Sequence, residues 1–448
     1  MNADLDFKDK QVLVMGLGLH GGGAGAAEFL VKEGADVTVT DLRTKKELAL
    51  SLRLLARYRG IRYVLGRHRE QDFRTADFIL KNAGIRRDNP FLRQAEKSGI
   101  PIASDVGIFF RLCPARIIGV TGTRGKSTTT YLIWKFLKTK FRRVHYGGNI
   151  RRSVLSILPR IKKNDLVVLE LSSFQLQDLG YERKSPHIAV FTGLLEDHLN
   201  WHRNMQEYID AKRAIFRYQR PDDHLFIHNK DYVVRRLAAQ APSKMHIAVL
   251  PETLAKIVDK NLGSHYRPAA ALAVAVGRHF RAAPAAMKRV LAAFRGLEGR
   301  QGQVWVLGGV RFINDTTATI PDAAIAAIMR FRKRAGRGRL ILIAGGQDKK
   351  LDFTKMAAMI LKSVDALVLL PGTATEKLAK ILVKFRRVLS TLHNARSMQE
   401  AVRIAWQSAK QGDYIVLSPG AASFGLFLNE FDRGDQFADA VRKLKQKA

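Results

Sequence analysis

The sequence has few cysteines, few acidic side chains and no long apolar run. Its single cysteine, Cys113, excludes an internal disulfide, fits a reducing compartment, and is expected to be a small buried apolar residue. No run of about 18 apolar residues occurs, so no transmembrane helix is expected. The first ten residues lack the apolar centre of a signal peptide. We therefore expect a cytoplasmic protein. Its 448 residues suffice for about two to four domains, and a hydrophobic content of 46% allows a substantial core.

The deficit of acidic residues leaves a large positive charge. Lysine and arginine number 76 against 40 aspartates and glutamates, a formal net charge of +36. Such a balance suggests nucleic acid as a partner, but the basic residues are spread along the chain and form no long basic tail. We therefore expect a solvated basic surface and small polyanionic substrates. A nucleic-acid-binding ATPase is an alternative supported by the charge alone.

The segment 122–128, Gly-Thr-Arg-Gly-Lys-Ser-Thr, has the composition of a phosphate-binding loop. An apolar run at 117–120 predicts a buried strand before it, and 128–137 predicts a helix after it. Glycines let backbone N–H groups face an anion, and the helix N-terminus adds its positive dipole end. Lys126 would reach the β- and γ-phosphates and Ser127 would hold Mg²⁺. The strict form of this motif has a further glycine at position 120, which is valine here.

A second glycine motif lies near the N-terminus. A predicted strand at 11–15 leads into Gly-Leu-Gly-Leu-His-Gly at 16–21, and a helix over 24–32 and a strand over 36–40 follow. Asp41 comes about twenty positions after the first glycines, as in dinucleotide-binding βαβ units. The motif therefore predicts either a dinucleotide cofactor, as in an NAD-dependent oxidoreductase, or another nucleotide-bearing ligand.

Polar residues follow further predicted strands. Glu170 ends the apolar run 165–169, and Glu-Asp-His at 196–198 follows the run 188–192. Ligands gather at the carboxyl ends of strands in open α/β sheets, so these residues are expected near the phosphate loop. A hairpin over 303–313 and three later strands predict a third sheet.

The predicted fold class is α/β, with three doubly wound domains. Residues 1–113 form a Rossmann-like domain, residues 114–299 a central P-loop ATPase-like domain, and residues 300–448 a Rossmann-like C-terminal domain. Pro114 and the glycine-rich run 296–302 suggest the two boundaries.

Four motifs together resemble the Mur ligase family, and within it the member that adds D-glutamate. They are Glu-Leu-Ser-Ser-Phe-Gln-Leu at 170–176, Asp-His-Leu at 197–199, Ser-Pro-Gly-Ala-Ala-Ser-Phe at 418–424 and Arg-Gly-Asp at 433–435. The resemblance implies an ATP-dependent ligase that joins D-glutamate to UDP-N-acetylmuramoyl-L-alanine through an acyl phosphate, in peptidoglycan precursor synthesis. It also implies ATP and two Mg²⁺ ions as cofactors, and it assigns the first domain to the uridine diphosphate of the substrate.

The resemblance further implies roles for individual residues. The predicted catalytic and metal-binding residues are Lys126, Ser127, Glu170, His198 and Lys212, the last as a carbamate. The predicted ATP contacts are Gly122, Thr123, Gly125, Lys126, Ser127, Thr128, Arg300 and Asp315. The predicted contacts of the UDP substrate are Gly18, Asp41, Arg43, Gly84 and Asn149. The predicted contacts of the amino acid are Lys349, Ser423 and Phe424.

Simpler interpretations stay open for several of these residues. Glu170 could be a surface carboxylate, His198 a hydrogen-bonded structural histidine, and Lys212 and Lys349 exposed lysines. For the whole chain, the alternatives are a sister Mur ligase, a folylpolyglutamate synthetase-like ligase, or the NAD-dependent oxidoreductase. The last of these leaves Lys126, Glu170 and His198 without a role. A monomer is expected.

Overall fold

The computed structural model describes residues 5–19, 21–149, 153–229, 231–384 and 392–446. It contains three separate β-sheets, and their strands alternate with helices along the chain. This confirms the predicted α/β class. Two predicted positions lie outside the described residues, His20 of the first glycine motif and Ile150 after the Gly-Gly-Asn turn. Within the described residues, no helix is long and apolar enough to cross a membrane.

The first sheet has five parallel strands in the order β3-β2-β1-β4-β5. The strands are β1 Gln11–Met15, β2 Asp36–Asp41, β3 Arg62–Leu65, β4 Phe78–Lys81 and β5 Ile102–Ser104. The helices that connect and follow them are α1 Gly22–Lys32, α2 Ala49–Leu55, α3 Glu70–Thr75, α4 Pro90–Lys97 and α5 Asp105–Leu112. The glycine motif therefore joins β1 to α1, where the βαβ pattern predicted it.

The second sheet has six parallel strands in the order β11-β10-β9-β6-β8-β7. They are β6 Arg116–Thr121, β7 Val144–Gly148, β8 Leu166–Glu170, β9 Ile188–Phe191, β10 His224–His228 and β11 Lys244–Ala248. The helices are α6 Lys126–Lys138, α7 Ser173–Tyr181, α8 Met205–Arg217, α9 Tyr232–Ala238, α10 Glu252–Asn261, α11 Arg267–His279 and α12 Pro284–Ala293, with 3-10 turns at Val154–Arg160 and Ser264–Tyr266. Every residue of β8 is buried, as expected for a parallel strand covered on both faces.

The third sheet has six strands in the order β12-β13-β17-β14-β15-β16. They are β12 Gly302–Leu307, β13 Val310–Asn314, β14 Leu340–Gly345, β15 Ala366–Leu370, β16 Leu392–Asn394 and β17 Tyr414–Leu417. The β12–β13 hairpin is antiparallel and the other pairs are parallel. The helices are α13 Pro321–Ala335, α14 Thr354–Ser363, α15 Thr373–Lys384, α16 Met398–Gln407 and α17 Glu430–Lys445.

The chain divides into two compact units. The first comprises Met1–Leu194, Gln206–Lys256 and Arg267–Ala292 and holds the first two sheets. The second comprises Leu195–Met205, Ile257–Tyr266 and Ala293–Ala448 and holds the third sheet. The segment with Asp197 and His198 thus belongs to the second unit, although it follows a strand of the second sheet.

A buried ion pair joins the first two sheets within the first unit. Lys81, at the end of β4, donates from Nζ to Asp178 Oδ2 on α7 at 2.8 Å, and both side chains are almost fully buried. Arg111 at the end of α5 also pairs with Glu182 at 2.8 Å. A buried pair is costly to break because the partner left behind keeps an uncompensated charge. These contacts therefore couple the two sheets.

Candidate active site

The loop between β6 and α6 has the backbone of a phosphate-binding loop. Gly122 has φ +142° and Gly125, which precedes α6, has φ +80°. A Cβ on Gly122 would lie 2.0 Å from Thr192 Oγ1, so a side chain there is excluded. Thr123 N–H donates to Gly193 O at 2.8 Å, which ties the loop to the end of β9. The predicted strand, loop and helix are confirmed, although the helix begins at Lys126 rather than at Thr128.

Two lysines of the first unit meet at one carbonyl of this loop. Lys126 Nζ donates to Gly122 O at 3.0 Å and to Thr123 O at 3.1 Å. Lys212 Nζ, from α8, donates to Gly122 O at 2.9 Å. Lys212 is 2% exposed, and its Nζ lies 4.7 Å from the ring centroid of Tyr208. The interpretation of Lys212 as an exposed lysine is therefore wrong, because α8 carries it into the interior beside the phosphate loop.

Glu170 accepts hydrogen bonds from residues of two neighbouring elements, helix α6 and the turn after strand β7. Ser127 Oγ donates to Glu170 Oε2, and Asn149 Nδ2 donates to Glu170 Oε1 at 3.3 Å. Glu170 is 2% exposed, so its interpretation as a surface carboxylate is wrong. The contact with Asn149 arises because β7 and β8 are adjacent and Gly148 lies opposite Glu170 in the register. Asn149, predicted as a substrate contact, therefore contacts the same carboxylate as Ser127.

This arrangement fits a divalent cation. Glu170 is a buried carboxylate that, within the described residues, is paired with no lysine, arginine or histidine. A buried anion without a cationic partner is unfavourable unless a cation compensates it. Carboxylate and hydroxyl oxygens are the ligands that Mg²⁺ prefers. Ser127 and Glu170 are thus suited to hold one such ion.

The predicted substrate contacts of the first sheet also come together. Asp41 is 3% exposed, and its Oδ2 accepts from Gly18 N–H at 3.1 Å while its Oδ1 accepts from Arg43 N–H at 2.9 Å. Asn82 adds a contact that the sequence did not suggest. Its Oδ1 accepts from Gly84 N–H at 3.0 Å, and its Nδ2 donates to Gly16 O at 3.2 Å. Asn82 follows β4 directly, which was the available signal.

Lys349 in the second unit is buried and paired. It is 7% exposed, and its Nζ donates to Asp197 Oδ1 at 3.0 Å and to Thr319 Oγ1 at 3.2 Å. Burial opposes ionisation of Asp197, but Lys349 and His198 outweigh this and hold the pKa of that carboxyl below its usual range. The interpretation of Lys349 as an exposed lysine is therefore wrong. Asp197 and Thr319 were not expected to contact it.

His198 has an unusual backbone beside this pair. Its φ is +58°, in the left-handed region that non-glycine residues rarely adopt. Its Nε2 lies 3.3 Å from Asp197 Oδ2, and its N–H donates to Asp197 Oδ1 at 2.8 Å. Strained backbone of this kind tends to occur at functional positions. The contact with Asp197 is also what a structural histidine would make, so the metal-binding role stays a prediction.

The two C-terminal loops predicted to hold the amino acid are joined by backbone hydrogen bonds. Gln347 N–H donates to Ala422 O at 2.9 Å, and Ala422 N–H donates to Gln347 O at 3.0 Å. Ser423, the next residue, is 3% exposed, and its Oγ has no hydrogen-bond partner among the described residues. Phe424 is 55% exposed. The predicted convergence of the Lys349 and Ser423 loops is therefore supported.

Arg433 organises the loop that carries Asp315. It is fully buried and donates to Thr316 O at 2.7 Å, Thr316 Oγ1 at 3.2 Å and Ala421 O at 3.1 Å. Asp315 Oδ2 accepts from Ser418 Oγ at 2.8 Å. Burial lowers the pKa of the Arg433 guanidinium to about 10, so it stays charged near neutral pH. The Arg-Gly-Asp motif thus has a structural role that its residue types did not reveal.

Arg300, the other predicted nucleotide contact of this unit, is half-buried. Its carbonyl accepts from Tyr266 Oη at 3.2 Å.

The phosphate loop and the buried Glu170 lie together at the second of three sheets, each flanked by helices. This combination defines the protein as an ATP-using α/β enzyme. Comparison with known families makes the assignment narrower. The Mur ligase MurD-like N-terminal domain matches residues 10–104, the Mur ligase middle domain matches 120–265, and the Mur ligase glutamate ligase domain matches 304–420.

Individual proteins agree with these matches. A curated relative from Roseiflexus sp. (strain RS-1), named UDP-N-acetylmuramoylalanine–D-glutamate ligase, is 41% identical over 468 residues and covers 98% of this chain and 99% of its own. The solved structure of UDP-N-acetylmuramate-alanine ligase MurC from Thermotoga maritima has a TM-score of 0.65 at 16% identity, covering 98% of this chain and 100% of that one. MurF ligase from the same organism, in complex with ADP, has a TM-score of 0.59 at 14% identity, covering 99% and 97%.

The chain therefore belongs to the Mur ligase family. The structural matches show the shared fold alone, because their identities are low. Membership confirms the resemblance seen in the motifs. It also makes the oxidoreductase interpretation of the first glycine motif wrong, since the whole chain aligns with a ligase.

Proposed function

We propose that this protein is the ATP-dependent ligase that joins D-glutamate to UDP-N-acetylmuramoyl-L-alanine in peptidoglycan precursor synthesis. The observation that carries the proposal is the 41% identity, over 98% of the chain, to a ligase of that name. The strand–loop–helix geometry at residues 116–138 and the buried Glu170 support the proposal, because an ATP-driven reaction needs a phosphate site and a metal ligand. The first domain would bind the UDP substrate, the central domain ATP, and the C-terminal domain D-glutamate, over residues 1–113, 114–299 and 300–448.

The reaction would take place in two steps. An oxygen of the substrate carboxylate attacks the γ-phosphorus of ATP, the β–γ bridging bond breaks, and an acyl phosphate and ADP result. The amine nitrogen of D-glutamate then attacks the acyl carbon, the carbon–oxygen bond to phosphate breaks, and the nitrogen loses a proton to give the amide. Negative charge develops in both steps, and cations that face it lower both barriers.

The residues of the phosphate loop account for much of this stabilisation. Lys126 is the first residue of α6 and lies beside the loop that would hold the phosphates of ATP. Its Nζ could therefore leave the carbonyl oxygens of the loop and bind those phosphates. Ser127 and Glu170 would hold one Mg²⁺, which neutralises phosphate charge when bound. A second ion, its ligand His198 and the carbamate on Lys212 stay predictions, as do the monomeric state, the cytoplasmic location and the absence of a nucleic-acid partner.

Phosphate release tests the proposal directly. The purified chain is supplied with UDP-N-acetylmuramoyl-L-alanine, ATP, Mg²⁺ and one amino acid from a panel, and the product is identified by mass. We expect turnover with D-glutamate and a product heavier by one glutamyl residue. Preferred turnover with another amino acid would indicate a sister ligase. Turnover when a folate replaces the UDP substrate would indicate the folylpolyglutamate class. Absence of turnover, with Lys126→Ala as the blank, would contradict the proposal.

A further inference from the structure

Three histidines of the first unit approach one another at the β10–β11 side of the second sheet. His224 begins β10, His246 is the third residue of β11, and His279 is the last residue of α11. His224 lies at the amino end of its strand, whereas the phosphate loop follows the carboxyl end of β6. This three-histidine cluster is therefore separate from the ATP-binding loop, and the proposed ligase reaction does not use it.

The cluster has nearly the geometry of a metal site. One ring nitrogen of each histidine lies within 4.8 Å of the other two, and His224 Nδ1 and His246 Nε2 share a hydrogen bond of 2.9 Å that a metal ion would replace. Zinc–nitrogen bonds of ~2.0–2.1 Å place two nitrogens of one ion at most about 4.2 Å apart. Since all three side chains are half-buried, small rotations of the rings can close the remaining gap.

The cluster lies against an apolar side chain. The ring of Phe226 stacks on His246 at 4.5 Å and supplies an apolar wall.

The charges around the cluster indicate which class of cation could bind. Arg116 and Lys244 act on the histidines with positive charge, whereas Asp222 and Asp223 act on His224 with negative charge. No carboxylate belongs to the cluster. A hard ion such as Mg²⁺ needs oxygen ligands, which the three histidines do not supply. Zinc, copper, nickel and related transition metals instead bind well to imidazole nitrogens.

We propose that His224, His246 and His279 form a binding site for a transition-metal dication of the zinc class, with water as the remaining ligand. The ion would link the edge strand β11 to β10 and α11. Because bound metal stabilises the folded state that holds it, the ion would raise the melting temperature of the first unit.

The test uses Zn²⁺ alone on the full chain prepared without a histidine tag, with excess Mg²⁺ to occupy oxygen-ligand sites. Equilibrium dialysis with metal analysis gives stoichiometry and affinity, and Co²⁺ substitution gives the visible absorption of a coordinated site. The variants are His246→Gln and His279→Gln, from separate elements. The matched control is His393→Gln, because His393 is a half-buried strand histidine outside the cluster.

We expect one Zn²⁺ per chain, affinity at least tenfold weaker in each cluster variant, and unchanged affinity in the control. His246→Cys should retain binding and add a thiolate charge-transfer band with Co²⁺. Circular dichroism verifies that each variant folds, and His246 lies on an edge strand where glutamine fits. Less than one Zn²⁺ per chain, or equal affinity in wild type and both cluster variants, would overturn the site. Ligase turnover with ATP and Mg²⁺ should persist in His246→Gln, so failure here leaves the proposed function untouched.

Discussion

The buried pair of Lys349 and Asp197 offers a prediction in which stability and substrate binding can be separated. Lys349 has three N–H donors, and two are occupied by Asp197 and Thr319 at 3.0 and 3.2 Å. The third has no partner among the described residues, and we propose that it binds a carboxylate of D-glutamate. Lys349→Met removes both functions at once: it leaves Asp197 buried without its cation, and it removes a charged donor from the proposed amino-acid pocket.

The two effects have different magnitudes and different measurements. Breaking a buried ion pair by removing one partner costs ~3–5 kcal/mol of unfolding free energy. Losing a charge-assisted contact costs about 1.5–3 kcal/mol, which is roughly a ten- to hundredfold rise in the KM for D-glutamate. Urea unfolding measures the first, and steady-state kinetics at saturating ATP measures the second, with little change expected in the KM for ATP.

A double variant decides between a binding and a purely structural role. Lys349→Met with Asp197→Asn removes the uncompensated charge, so most of the lost stability should return while the KM for D-glutamate stays raised. The matched control is Lys350→Met, because Lys350 is the exposed neighbour on the same loop. A stable double variant with an unchanged KM for D-glutamate would refute the binding role and leave Lys349 as a structural residue.

Four further outcomes follow from the first unit. Lys126→Ala should abolish turnover but keep binding of the UDP substrate, measured by calorimetry, and loss of both in a folded variant would contradict the assignment. Glu170→Gln should raise the Mg²⁺ concentration needed for half-maximal rate, and an unchanged Mg²⁺ dependence would remove Glu170 from the metal site. Lys81→Met should lower the unfolding free energy by ~3–5 kcal/mol, and adding Asp178→Asn should restore most of it; additive losses would exclude the coupling. Burial raises the pKa of Asp105 from 3.8 to about 6. Between these two values the folded state holds a proton on Asp105 that the unfolded state has lost, so the free energy of unfolding should fall by roughly 3 kcal/mol as the pH rises from about 4 through 6. Asp105→Asn should remove that part of the pH dependence, and an identical pH profile of urea unfolding would contradict it.

The local pattern of residues determined the strands of the core and the phosphate loop. Strands β1 and β4 contain the apolar runs 12–15 and 78–80, because buried parallel strands need apolar residues on both faces. Gly122 and Gly125 could be recognised because their turn requires positive φ at fixed spacing from a strand and a helix. Strands β5, β10, β11 and β16 were not predicted. β5 and β16 have only three residues, and β10 and β11 carry histidine or lysine among their apolar residues; β5, β11 and β16 are also edge strands.

Contacts between distant residues were decided only by the tertiary structure. Lys349 and Asp197 are 152 positions apart, and Lys212 and Gly122 are 90 apart, so no spacing rule links them. A lysine has the same local pattern whether it is exposed or buried, and only the packing of α8 and of the 345–349 loop showed that both lysines are inside. The same holds for the three-histidine cluster, whose members come from two strands and a helix. Residue types and local periodicity thus determined which groups were available. The order of the strands determined which of them meet, because that order depends on the connections and crossovers of the whole sheet.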